Sequence, residues 1–165
     1  MSNEKSEEWV MNTVVKAGFM AERFNGKLQR YGGALVNLGL RWFVGWQFFK
    51  SGLLKISDWG NTLSMFHDVY HTPLLAPNVA AALGAFGELT FPALLFVGFL
   101  SRPAALGLFF VNAVAVISYP DLFHFDCPAA IQSHLYWGIS LLVLLVWGPG
   151  GLSLDHWLKH SRSGK

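Results

Sequence analysis

Long apolar stretches alternate with short polar ones along this chain, and their length predicts helices that cross a membrane. A spanning helix needs about 20 mostly apolar residues. We expect four such spans, over residues 34–56, 79–100, 104–119 and 132–147. The segments between them hold prolines, glycines and asparagines, which end helices. The pattern therefore predicts an all-α fold: a polytopic membrane protein built as a four-transmembrane-helix bundle.

The composition supports a membrane protein and excludes several other classes. Of the 165 residues, 53% are hydrophobic and only 13% are charged, whereas soluble domains carry about 25% charged residues. A net charge of +2 is too small to indicate a nucleic-acid partner. The single cysteine excludes an intramolecular disulfide. The expected partners are the lipid bilayer and either a partner protein or further copies of the chain.

The turn signals divide the chain into three expected regions. Residues 1–33 form an amphipathic or partly ordered segment, since apolar residues recur there at roughly helical spacing. Residues 34–147 form the membrane bundle. A Gly-Pro-Gly-Gly run ends the fourth span, and residues 148–165 then form a short helix that Ser153 can cap.

The positions of lysine and arginine predict the orientation in the membrane. Loops 57–78 and 120–131 contain neither residue, whereas both termini and the turn around Arg102 do. Because positive charge is concentrated in cytoplasmic loops, we expect both termini in the cytoplasm and both longer loops in the periplasm. The predicted location is the inner membrane of a bacterium, as a multi-pass protein.

One face of the first span combines charge with small residues. Arg41, Gly45, Phe48, Gly52 and Lys55 follow one another at steps of four and three residues, which places them on one side of a helix. Charged groups at membrane depth cost at least about 2.5–3.5 kcal/mol. This face is therefore expected to point into the bundle.

Glu88 lies near the middle of the second span, where a carboxylate needs a partner. Lys50 matches Glu88 better in depth, whereas Arg41 faces the bundle and has a long reach. Both pairings stay open at this point, with a slight preference for Arg41. Asn112, in the third span, is the expected hydrogen-bond partner of the remaining group. We expect these four residues to line a small polar cavity, although buried polar groups can also simply link helices.

Histidines in the two longer loops indicate a second candidate site. His67 and His71 are spaced so that they can share one face of a helix, and His124 and Cys127 lie in the other loop on the same side. These four side chains could bind copper or zinc. The alternative is that they only pack the loops.

Three motifs resemble the signatures of the DoxX family of small four-helix membrane proteins. They are the Arg41–Lys55 face described above, the Gly-Glu at Glu88 with the Pro-x-Leu-Leu to Ser-Arg run ending in Ala105, and the Gly-Pro-Gly-Gly-Leu-Ser-Leu-Asp segment ending at Asp155. The resemblance covers roughly residues 36–156. It implies a subunit of the kind found in a thiosulfate:quinone oxidoreductase, with Arg41, Lys55, Glu88, Arg102 and Asp155 as the matching polar residues.

The sequence therefore leaves two main hypotheses for the function. The first is a membrane redox component that binds quinone and takes electrons from a partner, with Glu88 and Arg41 catalytic, and with Lys50, Lys55, Asn112 and Arg102 binding the cofactor. The second is a non-enzymatic membrane accessory or metal-handling factor that uses the loop histidines. A small-solute transporter is less favoured, because four spans without visible repeats would need to dimerise.

Overall fold

The structure, a computed structural model, describes residues 2–123 and 129–163, and most of these residues are helical. The α-helices are α1 (Ser2–Lys27), α2 (Gly33–Ser57), α3 (Trp59–Asp68), α4 (Pro77–Val97), α5 (Ser101–Ser118), α6 (Ala129–Trp147) and α7 (Leu154–Ser163). A π-helical turn at Leu28–Gly32 joins α1 to α2, and a 3-10 turn at Pro120–Phe123 follows α5. The all-α prediction is confirmed.

Three of these helices are long and apolar enough to cross a membrane. They are α4, α5 and α6, which correspond to the second, third and fourth predicted spans. Helix α2 is longer, at 25 residues, but Arg41, Lys50 and Lys55 lower its mean hydropathy. The prediction of membrane helices thus holds for these three by length and composition.

The helices pack in sequence around one apolar core. Helix α2 packs against α4, α4 against α5, and α5 against α6, while α6 also contacts α2. The core cluster draws buried side chains from all four, including Val44, Leu95, Leu108 and Leu141. Burial of these side chains between helices fixes which face of α2 points inward, and it is the face predicted from its spacing.

Glycines on α2 bring its backbone close to α4. A Cβ atom at Gly45 would lie 2.8 Å from the ring of Phe96, and one at Gly52 would lie 2.8 Å from Cγ of Leu89. These contacts fix the antiparallel register of the two helices, with Gly45 beside Phe96 and Gly52 beside Leu89.

This register leaves the ends of α2 and α4 at different levels. Ser57, the last residue of α2, lies level with Gly84, so α4 begins about 10 Å beyond the end of α2. The short helix α3 packs against this protruding part of α4. Asp58 caps α3 by accepting a hydrogen bond from the Asn61 N–H (3.0 Å). We call this end of the molecule the α3 end and the opposite one the α7 end.

Candidate functional site

Lys55 and Glu88 form an ion pair between α2 and α4. The Lys55 ammonium group lies 2.7 Å from Oε2 and 2.9 Å from Oε1 of Glu88. It also donates a hydrogen bond to the Ser51 hydroxyl (2.9 Å). The two side chains are 19% and 9% exposed, so each charge is largely removed from solvent and compensated by the other.

The direction of helical side chains explains why these two residues meet. A side chain on a helix leans toward the N-terminus of that helix. Because α2 and α4 are antiparallel, Lys55 leans toward the α7 end and Glu88 toward the α3 end. Lys55 starts about two residues closer to the α3 end, so the two side chains converge. Gly52, one turn before Lys55 on α2, lies beside Glu88 and Leu89 and allows the backbones to approach at this level.

The expected pairing of Glu88 with Arg41 or Lys50 is wrong. Lys50 is exposed on the outer side of α2. Arg41 lies near Gly98, level with the end of α4, and its backbone is about 18 Å along the axis from Glu88. Lys50 would match Glu88 in depth if α2 and α4 ended at the same level. In the structure α4 projects beyond the end of α2. That offset moves the matching position on α2 to Lys55.

Arg41 instead holds the C-terminal segment against the helices at the α7 end. It is fully buried, and its Nη2 donates to the Leu152 carbonyl. Asp155 accepts hydrogen bonds from the backbone N–H groups of Leu100 and Ser101, both at 2.9 Å. We call these five residues the Asp155 clasp. Its carboxylate caps the N-terminus of α5, where negative charge is favourable.

Arg102 belongs to the same end of the molecule. It is exposed, donates to the Val146 carbonyl (3.3 Å) and lies against Gly148. Its position is therefore remote from Lys55 and Glu88, and it does not line the cavity that they border.

Asn112 forms hydrogen bonds with a histidine, and not, as expected, with the cation that does not pair with Glu88. Its amide nitrogen donates to the His134 carbonyl (3.0 Å), and its amide oxygen lies 2.8 Å from His134 Nδ1. The expected partner was therefore wrong, and His134 was missed as a site residue. The signal was present, because His134 lies inside the fourth apolar stretch, where an ionisable side chain is rare.

A cavity of about 570 Å³ extends from the Lys55–Glu88 pair to His134. Its walls are mostly apolar and come from α2, α4, α5, α6, α3 and the loop after α3. Its polar margin includes Lys55, Glu88, His134 and Tyr70. Two lining residues, Leu83 and Phe110, are also exposed on the outer faces of α4 and α5. The cavity thus borders the apolar exterior, and its volume suits a small organic ligand.

Tyr70 lies in the loop at the α3 end of this cavity. Its ring packs edge-to-face on Phe66 and Tyr119, with centroids 5.0 and 5.6 Å away. Burial raises the pKa of the Tyr70 phenol above its ordinary value, and Tyr119 and the Glu88 charge raise it further. Tyr70 therefore keeps its hydroxyl proton to higher pH than an exposed tyrosine does, at the α3 end of the cavity.

The loop histidines do not share a helical face as expected. Helix α3 ends at Asp68, so His71 lies beyond it, while His67 Nε2 is 2.8 Å from the Asn78 amide oxygen. Within residues 2–123 and 129–163, no three His, Cys, Asp or Glu side chains are grouped to hold a metal. The other two predicted ligands, His124 and Cys127, lie outside the described residues.

Comparison with known proteins places the chain in a family. No solved structure gives a significant match. An uncharacterised protein of Haemophilus influenzae is 36% identical over 138 residues, which cover 81% of this chain and 89% of the relative. The sequence model of the DoxX family matches residues 36–121. These residues contain the Lys55–Glu88 pair, nearly all of α2 and the whole of α4. The chain belongs to the DoxX family of small membrane proteins.

Proposed function

We propose that this protein is a multi-pass protein of the bacterial inner membrane with four spans, α2 being the first. Support comes from the length of α2, about 37 Å for its 25 residues, and from its packing against α4 and α6. On its inward face Lys55 is paired with Glu88 and Arg41 donates to the Leu152 carbonyl, which lowers the cost of placing these cations at membrane depth. With lysine and arginine at the α7 end, the termini lie in the cytoplasm.

We further propose that the cavity binds a quinone and that the protein serves a membrane redox system. The observation that carries this proposal is the combination of a mostly apolar cavity of about 570 Å³ with one buried ion pair at its margin. A quinone has the matching chemistry, since its ring and tail are apolar and its carbonyl oxygens accept hydrogen bonds. The resemblance to a quinone-linked subunit supports the same ligand class.

Within this cavity Lys55 and Glu88 have distinct roles. The Lys55 ammonium group has three N–H groups and makes three hydrogen bonds, to Ser51 and to both Glu88 carboxylate oxygens. It can donate to a quinone carbonyl oxygen by giving up one of the two bonds to Glu88, because the other keeps the ion pair together. Reduction of a quinone to a quinol takes up two electrons and two protons. Glu88, ionised in the pair, can take up a proton from water and pass it to the ring oxygen that Lys55 binds. The second proton also comes from water, and both electrons come from a partner protein.

Binding of a soluble quinone to the purified protein tests this proposal. The probe is decylubiquinone, titrated by equilibrium dialysis into the protein in lipid nanodiscs. We expect Lys55→Met and Glu88→Gln each to weaken binding by about tenfold or more, as expected for loss of a charge-assisted hydrogen bond. Lys50→Met is the matched control, since Lys50 lies on the same helix outside the cavity. Absence of binding by the wild type, or equal binding by all variants, would overturn the proposal.

A further inference from the structure

The hydrogen bonds between Asn112 and His134 determine which ring nitrogen of His134 carries its proton. The Asn112 amide nitrogen donates to the His134 carbonyl, so the amide oxygen faces the ring. An amide oxygen only accepts hydrogen bonds. His134 Nδ1, at 2.8 Å from it, must therefore be the donor. In the neutral imidazole this leaves Nε2 without a proton and able to accept.

The free nitrogen belongs to a side chain that lines the cavity. His134 is part of its lining, and its ring packs edge-to-face on Trp137 with centroids 4.9 Å apart. Among the described residues Nε2 has no hydrogen-bond partner. The cavity therefore has a donor at its Lys55–Glu88 margin and a fixed acceptor on α6.

We propose that His134 is the residue that distinguishes the reduced from the oxidised form of the ligand. This inference rests on the proposed quinone function. A quinone offers only acceptors to the protein, whereas a quinol also offers two O–H donors. Nε2 can accept a hydrogen bond from a quinol hydroxyl and has nothing to offer a quinone carbonyl. Asn112 acts through His134 as a positioning residue, because it fixes the tautomer.

A purely structural role for this pair makes a different prediction. The bond from Asn112 to the His134 carbonyl would link α5 to α6 whatever the ring does. Replacing the ring would then change the free energy of unfolding and affect quinone and quinol binding to the same degree. Selectivity between the two redox forms is the readout that separates the two roles.

Binding of two probes that differ only in redox state provides the test. Decylubiquinol and decylubiquinone are titrated anaerobically into wild type, His134→Phe and Asn112→Leu in nanodiscs. We expect His134→Phe to weaken quinol binding about tenfold and to leave quinone binding within about twofold. Asn112→Leu should partly reduce the preference for quinol over quinone, since the His134 tautomer is no longer fixed. Equal losses for both probes, or no loss for either, would overturn this inference, whereas the proposal that the wild type binds quinone would stand.

The tautomer can also be measured without a variant. In protein labelled with ¹⁵N-histidine and ¹³C-tryptophan, solid-state NMR identifies His134 through its contact with the Trp137 ring. We expect a protonated Nδ1 and an unprotonated Nε2, the reverse of the tautomer that the histidine side chain prefers in water. A protonated Nε2 in the ligand-free protein would contradict the proposal. Failure of the wild type to bind either probe would instead count against the quinone function itself.

Discussion

The Glu88 carboxylate meets the Lys55 ammonium group at 2.7 Å, and Lys55 lies one turn from Gly52, where α2 packs closely against α4. Because Lys55 lies on α2 and Glu88 on α4, the ion pair links the two helices. Removing one charge leaves the other buried without compensation, which is more costly than removing both.

We expect Lys55→Met to lower the free energy of unfolding by about 3 kcal/mol, the range found for breaking a buried pair. The double variant Lys55→Met/Glu88→Gln should recover most of this loss. Unfolding in mixed micelles with increasing SDS measures the free energy of unfolding of the single and the double variant. Lys50→Met should remain close to wild type. Losses that simply add in the double variant would show that the pair is not coupled.

Gly52→Ala should destabilise the protein by roughly 1–3 kcal/mol, because a Cβ atom there overpacks the contact. It would lie 2.8 Å from Leu89 Cγ and 3.1 Å from Glu88 Cβ, so the Leu89 side chain or α2 itself must shift. Gly39→Ala is the matched control on the same helix, where a Cβ atom meets nothing within 4 Å. Thermal unfolding in detergent distinguishes the two, and equal midpoints for both variants would contradict the close approach.

Asp155→Ala should release the C-terminal segment, since the Asp155 clasp loses both hydrogen bonds to the N-terminus of α5. A lost cap costs about 1–2 kcal/mol. Limited trypsin digestion with mass spectrometry should then show faster cleavage after Lys159. Glu22→Gln, a change of an exposed carboxylate on α1, should leave the cleavage rate unchanged.

Arg41 shares this clasp and lies away from the cavity. Arg41→Met is therefore expected to accelerate the same cleavage while leaving decylubiquinone affinity, per folded molecule, within about twofold. A loss of affinity as large as that of Glu88→Gln would restore a binding role to Arg41.

Stability should fall at high pH because of Tyr70. Its pKa is raised in the folded protein by burial, with Tyr119 and Glu88 adding to the effect. Above about pH 10, the ordinary value, the unfolded chain loses this proton while the folded one keeps it, so the free energy of unfolding decreases as pH rises through the folded pKa. Tyr70→Phe should show a flatter dependence between pH 9 and 11 than wild type. Tyr31→Phe, whose ring is 64% exposed, should behave as wild type.

The proposed orientation can be tested by labelling introduced cysteines. In a Cys127→Ser background, Pro73→Cys lies in the exposed loop at the α3 end and Ser161→Cys on α7. A membrane-impermeant maleimide added to intact spheroplasts should label position 73 only. Labelling of 161 under the same conditions would reverse the topology.

Local pattern determined the helices and their inward faces. The length and composition of residues 79–147 predicted three membrane helices, and the spacing from Arg41 to Lys55 identified the buried face of α2. Both follow from the period of the α-helix and the cost of exposing polar groups to lipid, which act within a single segment.

Only the tertiary structure decided which charges meet. The sequence placed Glu88 and Lys55 on inward faces, yet the choice of partner depended on the register between α2 and α4, which the contacts of Gly45 and Gly52 set. The Asn112–His134 pair depended in the same way on how α5 lies against α6. A shift of one helical turn moves a side chain by about 5.4 Å, more than the length of a hydrogen bond, and that relative position is fixed by packing between helices.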